Sequence, residues 1–164
     1  MHPLYTKADE LSQVAIGSAI EVHRLKGPGL IESIYERCLM RELELRHVAA
    51  VNQRVVKIEY KGLLFDEPLR FDVLIEACLL LELTCVQEIL PIHKAQLLSY
   101  MRLLDVPLGL LINFHELKLV DGLVIAFVRD QNRVRFDISR SAASKQSLSI
   151  SSRLLGLARR VDQP

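Results

Sequence analysis

The chain has 164 residues, of which 50% are apolar and 5% aromatic, and its formal net charge at pH 7 is +1. This length suits one domain with a mainly aliphatic core, and no apolar run reaches the length of a membrane span. Residues 1–128 hold 13 Lys and Arg against 17 Asp and Glu, so they lack the basic excess typical of a protein that grips nucleic acid nonspecifically.

The N-terminus and the cysteines indicate the compartment. The first nine residues lack the apolar core of a signal peptide. Cys38, Cys78 and Cys85 are odd in number and lie in apolar stretches, which favours reduced, buried thiols over disulfides or metal ligands. We therefore expect a cytoplasmic protein without a membrane partner. The high apolar content also predicts a self-association face, and hence a homo-oligomer.

Two helices are predicted at the start of the chain. Apolar periodicity places the first at residues 9–25, with Asp9 positioned to cap it, and a Gly/Pro turn at 27–29 ends it. The second runs from about residue 30 to residue 46. It places Glu32 and Tyr35 on one face, with the Tyr35 hydroxyl donating to Glu32.

Strands dominate the middle of the chain. Residues 51–60 predict a strand that turns at Lys61 and Gly62 into a short partner, and residues 69–77 with 79–83 predict a hairpin. A helix begins at Pro91, residues 107–113 predict a strand buried on both faces, and residues 123–129 predict an edge strand. This order of elements predicts a three-layer α/β/α sandwich around a mixed central sheet.

The end of the chain differs in composition. Residues 129–164 carry eight Lys and Arg against three Asp. Residues 139–152 are rich in Ser and Ala without an apolar period, which predicts a linker, and residues 154–161 are compatible with a short helix, docked or disordered. We therefore divide the chain into a domain at residues 1–130 and a basic, Ser-rich tail at residues 131–164.

The most informative pair of residues is Asp72 and Glu82. A tight hairpin centred on Ala77 would place these two carboxylates directly opposite each other on one face, within apolar strands. Opposed, desolvated carboxylates repel each other, so a cation between them would stabilise the pair. Two alternatives stay open at this point: both acids lie at a solvated sheet rim, or one of them pairs with Arg70.

The helix that begins at Pro91 adds a polar stripe. His93, Gln96 and Tyr100 are spaced three and then four residues apart, so they share one face of that helix. Together with Gly29-x-x-Glu32-x-x-Tyr35, Arg70-x-Asp72 and Glu82-Leu-Thr84, this stripe completes an ordered set of motifs. The set resembles the GxxExxY protein family, a branch of the PD-(D/E)XK nuclease superfamily similar to the RecB-like exonucleases with their Gln-x-x-x-Tyr helix. The resemblance covers about residues 10–128.

The resemblance implies a site and a function. It implies metal-dependent hydrolysis of nucleic-acid phosphodiesters, with Asp72 and Glu82 as ligands of Mg²⁺ or Mn²⁺. DNA is favoured over RNA as the substrate, and the sequence leaves the choice between them open. Glu32 would reach the metal through water or complete the acidic cluster. Gln96 and Tyr100 would position phosphate or the carboxylates. The implied catalytic set is therefore Glu32, Asp72, Glu82, Gln96 and Tyr100, with Arg70 and His93 as substrate contacts.

One position departs from the family pattern. The family ends this strand with Glu-x-Lys, and here Thr84 stands in place of the lysine. A lysine would orient the attacking water and offset charge on the phosphate, which threonine cannot do. Lys94, Lys57 and Lys61 are candidate replacements by sequence. Enzymatic activity is thus left open: the chain is either a nuclease-type domain with a degenerate site, or an inactive module that binds nucleic acid or a protein.

Overall fold

A computed structural model describes residues 2–115, 124–130 and 133–137 of the chain. Three helices are present: α1 Tyr5–Lys26, α2 Glu32–Leu45 and α3 Pro91–Leu103. The eight strands are β1 Ala50–Asn52, β2 Val55–Tyr60, β3 Leu63–Arg70, β4 Val73–Ile75, β5 Leu79–Thr84, β6 Leu108–Asn113, β7 Val124–Asp130 and β8 Arg133–Asp137. None of the helices in these segments is long and apolar enough to cross a membrane.

Six strands form one mixed sheet in the order β1-β4-β5-β6-β7-β8. β5 and β6 run parallel, connected by α3, and the other neighbours run antiparallel. Helices α1 and α2 pack together on one side of the sheet, and α3 packs against β5 and β6 on the other side. The fold is therefore an α/β/α sandwich around a mixed sheet, as predicted.

Two cores separate these layers. Because side chains alternate along a strand, Leu79, Leu81 and Leu83 of β5 join the core under α1 and α2, whereas Leu80 joins the core under α3. All six residues of β5 are buried, and so are all six of β6. The continuous apolar sequence of β6 was the signal for this burial, and that prediction is confirmed.

The β4–β5 hairpin has the predicted register. Val73 pairs with Leu81 and Ile75 with Leu79, so the next position outward sets Asp72 against Glu82. The turn is tight because Glu76 and Ala77 adopt φ values of 46° and 54°, in the left-handed region that side chains rarely occupy. Because this turn is short and its backbone is constrained, it fixes the register of the two strands.

Two predicted strands are interrupted in the structure. The strand predicted at 51–60 is split into β1 and β2 because Gln53 adopts φ 51° and redirects the chain. The strand predicted at 69–77 is likewise split between β3 and β4. β2 and β3 leave the main sheet and form a separate two-stranded hairpin.

Some other local predictions are wrong, and others concern residues outside the described ranges. Asp9 does not cap α1, since the helix begins at Tyr5 after Leu4. The strand near 123–129 is not at the edge, because β7 pairs with both β6 and β8. The sheet thus continues to Asp137, past the predicted domain end at residue 130, and the linker and terminal helix predicted beyond it lie outside the described residues.

The contact between α3 and β6 offers a test of the packing. A Cβ added to Gly109 would lie 2.6 Å from Met101 Sδ and 2.9 Å from Leu97 Cδ1. Both side chains are almost fully buried, so a shift of either one would disturb its neighbours in the core. We expect Gly109→Ala to lower the free energy of unfolding by about 1–3 kcal/mol, measured by urea denaturation.

Gly17→Ala is the matched control for this substitution. Its added Cβ meets only Arg46 Nη1 at 3.4 Å, an ordinary contact. Because alanine favours the helix, Gly17→Ala should stabilise the protein by about 0.5–1 kcal/mol. Equal effects of the two substitutions would contradict this account of the α3–β6 contact.

Candidate active site

The predicted acidic residues meet at one end of the sheet. β5 and β6 both end there, at Thr84 and Asn113, and β4 begins there, just after Asp72. The first turn of α2, with Glu32, lies at the same end, as its charge coupling to Asp72 shows. The site is thus built from strand ends and helix starts, where polar groups can converge without interrupting the sheet.

Glu82 is the most buried acid of the group. It lies on β5, facing α3, and only 5% of its surface is exposed. Gln96 Nε2 donates a long hydrogen bond of 3.4 Å to Glu82 Oε2, whereas Glu82 Oε1 has no partner among the described residues. Burial, and next the charge of Asp72, raise the pKa of Glu82 to about 8. The backbone N–H of Asp72 opposes this rise, so an ionised Glu82 would be a buried charge that its donors compensate only in part.

Asp72 is half-buried and better supplied with donors. The backbone N–H of Leu83 donates to Asp72 Oδ2 at 2.8 Å, and Gln53 Nε2 donates to Oδ1 at 3.3 Å. Burial raises the pKa of Asp72, and the charge of Glu36 adds to the rise, while these two hydrogen bonds oppose it. The hydrogen bond from Leu83 also ties the carboxylate across the hairpin to the residue after Glu82.

A hydrogen-bond network around the buried Glu36 was not predicted from the sequence. Glu36, on α2, accepts hydrogen bonds from Asn52 Nδ2 at 2.6 Å and from Gln53 Nε2 at 2.5 Å. The backbone of Gln53 is strained, with a φ of 51°, and this conformation directs the side-chain amide towards both Glu36 and Asp72. The only sequence signal was the spacing of Glu36 four residues after Glu32, which places both acids on one face of α2.

Glu32 adds a further negative charge at the surface. Its side chain is exposed, yet partial desolvation, followed by the charges of Asp72 and Glu36, raises its pKa. Cys85, which follows β5, is affected in the same way: burial and then the charge of Glu32 raise its pKa to about 11. Burial is the larger cause of both shifts, and the neighbouring carboxylates add to it.

Two predicted residues of α3 face this site. Gln96 contacts Glu82, as described, and Tyr100 is buried one turn further along the helix. Burial raises the pKa of Tyr100, the charges of Glu82 and Asp72 raise it further, and a hydrogen bond with Gln96 opposes the rise. The structure thus brings Gln96 and Tyr100 to the same pocket as Asp72 and Glu82.

Three other predicted residues have different surroundings. His93 Nδ1 accepts a hydrogen bond of 3.0 Å from the backbone N–H of Leu90 and so caps α3. Arg70 ends β3 and is exposed. Tyr35 does not contact Glu32 as predicted: its hydroxyl donates to the carbonyl of Gly27, and its ring stacks on Phe114 with centroids 4.4 Å apart.

Thr84 stands where the family pattern has lysine. It is 7% exposed and shares a strand face with Glu82, two residues away. Lys94, Lys57 and Lys61 are all exposed. None of the ion pairs among the described residues joins a Lys or Arg to Glu32, Asp72 or Glu82.

The donor set fits a divalent cation in part. The described residues contain no cluster of three or more His, Cys, Asp or Glu side chains arranged to hold a metal. Two opposed carboxylates, one with an unpaired buried oxygen, match the hard oxygen donors that Mg²⁺ prefers, and Mg²⁺ keeps several water ligands when protein ligands are few. Asp72 and Glu82 would hold such an ion, with water or phosphate oxygens completing its shell.

Comparison with protein-family models identifies the superfamily of this chain. Residues 9–126 match the family model described as PD-(D/E)XK nuclease superfamily. The chain belongs to this superfamily. Nucleases of the PD-(D/E)XK superfamily act on nucleic acids and generally use divalent metal ions. The match covers every described element that supplies a residue to the acidic end of the sheet.

The remaining comparisons add little to this PD-(D/E)XK assignment. Residues 95–159 also match a family model described as YfiR/HmsC-like. That match covers a minor part of the chain and starts inside α3, which already belongs to the nuclease-like fold. Neither the curated proteins nor the solved structures give a match.

The buried carboxyl of Glu82 predicts a pH dependence of stability in metal-free buffer. Between the ordinary Glu pKa of 4.5 and the folded value of about 8, the native state retains a proton that the unfolded chain has released. The free energy of unfolding should therefore fall as pH rises through this window, by at most about 1.4 kcal/mol per pH unit, and level off above it.

Urea denaturation across this pH window measures the effect. Glu82→Gln should flatten the profile, because the amide does not titrate, while Glu88→Gln, which changes an exposed acid, should leave the slope unchanged. A slope that persists in Glu82→Gln would show that another group causes it.

Proposed function

We propose that this domain binds Mg²⁺ or Mn²⁺ through Asp72 and Glu82 and hydrolyses nucleic-acid phosphodiesters with low activity. The observation that carries the proposal is the opposed carboxylate pair, in which Glu82 Oε1 is buried without a partner among the described residues. A cation bound there would relieve both the repulsion between the acids and the cost of burying Glu82. DNA is the proposed substrate, and the closer kinship with the GxxExxY family and with RecB-like nucleases is part of the same proposal.

The residues around the pair support such a reaction. When bound, the metal would supply a Lewis acid for a phosphate oxygen and for the attacking water. Gln96, which contacts Glu82, orients that carboxylate. Tyr100 offers a hydroxyl on the same side of the pocket, and Glu32 offers an exposed carboxylate that can hold a water ligand.

The low activity follows from Thr84. In the proposed mechanism, no ammonium group lies beside Glu82 to orient the water or to offset charge on the phosphate. The described ion pairs include none that brings a lysine or arginine to the acids from elsewhere. The same observation favours the alternative, a nonenzymatic module that keeps the fold and binds nucleic acid or a protein.

Metal binding should raise the melting temperature. Because Mg²⁺ or Mn²⁺ would bind only the native pair, a concentration of 100 times Kd should stabilise the protein by about 2.7 kcal/mol. Asp72→Asn should abolish this shift, and it should raise the metal-free melting temperature by removing a charge that faces Glu82. Differential scanning calorimetry measures both effects.

Asp9→Asn is the control for the metal experiment, since Asp9 is an exposed acid on α1. It should keep the full metal-dependent shift. Isothermal titration calorimetry that detects no binding at millimolar metal would overturn the proposed metal site.

Substitution at Thr84 tests the catalytic proposal. The wild type should cleave DNA weakly with Mg²⁺ or Mn²⁺, and Thr84→Lys should increase the rate by up to about 100-fold, because the new ammonium would share a strand face with Glu82. Thr84→Met introduces a side chain similar in length to lysine but without a charge, so it should not increase the rate. Cleavage is measured with end-labelled single- and double-stranded DNA.

Three outcomes of this assay are diagnostic. Asp72→Ala in the Thr84→Lys background must abolish cleavage, or the activity is a contaminant. Robust wild-type cleavage that is lost in Lys94→Ala would show that Lys94 replaces the missing lysine. Inactivity of both wild type and Thr84→Lys, with metal binding intact, would overturn the nuclease proposal in favour of the nonenzymatic module.

A further inference from the structure

The β2–β3 hairpin carries six paired apolar side chains on one face. Its register pairs residue 60 with 63 and 58 with 65, shifts between Val56 and Ile58, and continues with 56 paired to 69, and paired residues lie on the same face. The six side chains are those of Val56, Ile58, Tyr60, Leu63, Phe65 and Leu69. A lone two-stranded hairpin is only marginally stable in water, and either further strands beside it or packing against its apolar face stabilises it.

The body of the protein covers only the base of this face. Val56 is 5% exposed and belongs to the core under α3, and Leu69 packs against the same core. Towards the turn, exposure rises to 62% for Tyr60, 61% for Leu63 and 38% for Phe65. Contiguous exposed apolar side chains of this kind are typical of an interaction surface.

The free edge of β2 is open to pairing. Among the described residues, β2 is hydrogen-bonded only to β3. The two-residue turn at Lys61 and Gly62 makes positions 60 and 63 a bonded pair, so by alternation the N–H and C=O groups of Glu59 point to the free edge. The register shifts between Val56 and Ile58, but the extra residues lie on β3, so the alternation along β2 continues and the groups of Lys57 point to the same edge. The outer edge of β3 is less suited, because Pro68 has no N–H to donate.

The sequence of β2 is complementary to itself. If two copies pair antiparallel about a two-fold axis at Ile58, Lys57 of each copy lies opposite Glu59 of the other. Both side chains are exposed and lie on the face opposite the apolar one. On the apolar face, Ile58 meets its own copy, and Tyr60 meets Val56 of the second copy.

We infer that β2 is a self-association strand through which two copies of this chain form a continuous four-stranded sheet. Three observations carry this inference together: the open edge, the exposed apolar face, and the charge complementarity of Lys57 and Glu59 in a single register. The pairing joins the apolar faces of both hairpins side by side. The inference is independent of metal binding and of catalysis.

Charge exchange tests the register. Sedimentation equilibrium should show a concentration-dependent dimer of the wild type. Lys57→Glu and Glu59→Lys should each raise the dimer Kd by about tenfold or more, because like charges then oppose each other at two symmetric positions. The double variant Lys57→Glu, Glu59→Lys restores opposite charges and should restore the wild-type Kd. Lys94→Glu, at an exposed lysine on α3, is the control and should leave the Kd unchanged.

Cysteine cross-linking tests the same register without altering charge. Ile58→Cys places two thiols directly opposite each other in a non-hydrogen-bonded pair, whose Cβ separation suits a disulfide. It should form a covalent dimer on mild oxidation, whereas Val55→Cys, opposite Lys61 of the second copy, should not.

Several results would overturn the inference. One is a wild type that stays monomeric up to millimolar concentration. Another is a dimer whose Kd responds to neither single charge variant, or whose Kd is not restored by the double variant. A third is cross-linking of Val55→Cys as efficient as that of Ile58→Cys. Circular dichroism on each variant verifies that the fold is intact.

Discussion

The register of the β4–β5 hairpin is the constraint on which the acidic end of this molecule depends. The turn at Glu76 and Ala77 fixes which residues face each other, and it sets Asp72 against Glu82. A slip of one residue would turn Glu82 into the core under α1 and α2 and remove Leu81 and Leu83 from that core. The burial of these leucines therefore enforces an arrangement of charges that is unfavourable by itself.

The two carboxyl groups are compensated unequally. Asp72 receives hydrogen bonds from Leu83 and Gln53. Glu82 receives a long bond from Gln96 and a backbone contribution from Asp72, and its Oε1 has no partner among the described residues. Differences of this kind separate the protonation behaviour of two neighbouring acids. Helix α2 adds negative charge near the pair, and no ion pair among the described residues neutralises it. A bound cation would therefore stabilise the two carboxylates.

Sequence reasoning succeeded where residue spacing alone determines geometry. The opposition of Asp72 and Glu82 followed from strand pairing, and the approach of Gln96 and Tyr100 followed from helix periodicity. It failed where the backbone adopts a conformation that the residue type does not predict. Gln53 is an example, because its positive φ splits a predicted strand. The Glu36 network was missed for the same reason, because it depends on the direction in which that bend sends one amide.

The distances along the chain between the site residues have a consequence for local unfolding. Asp72 and Glu82 are joined by a short loop, whereas α2 reaches them only after a much longer stretch of chain. Since closing a loop costs more conformational entropy as it lengthens, the approach of Glu32 to Asp72 is entropically the most costly in the site. A local opening that releases α2 would leave the opposed carboxylates in place and would free the Gln53 amide from Glu36.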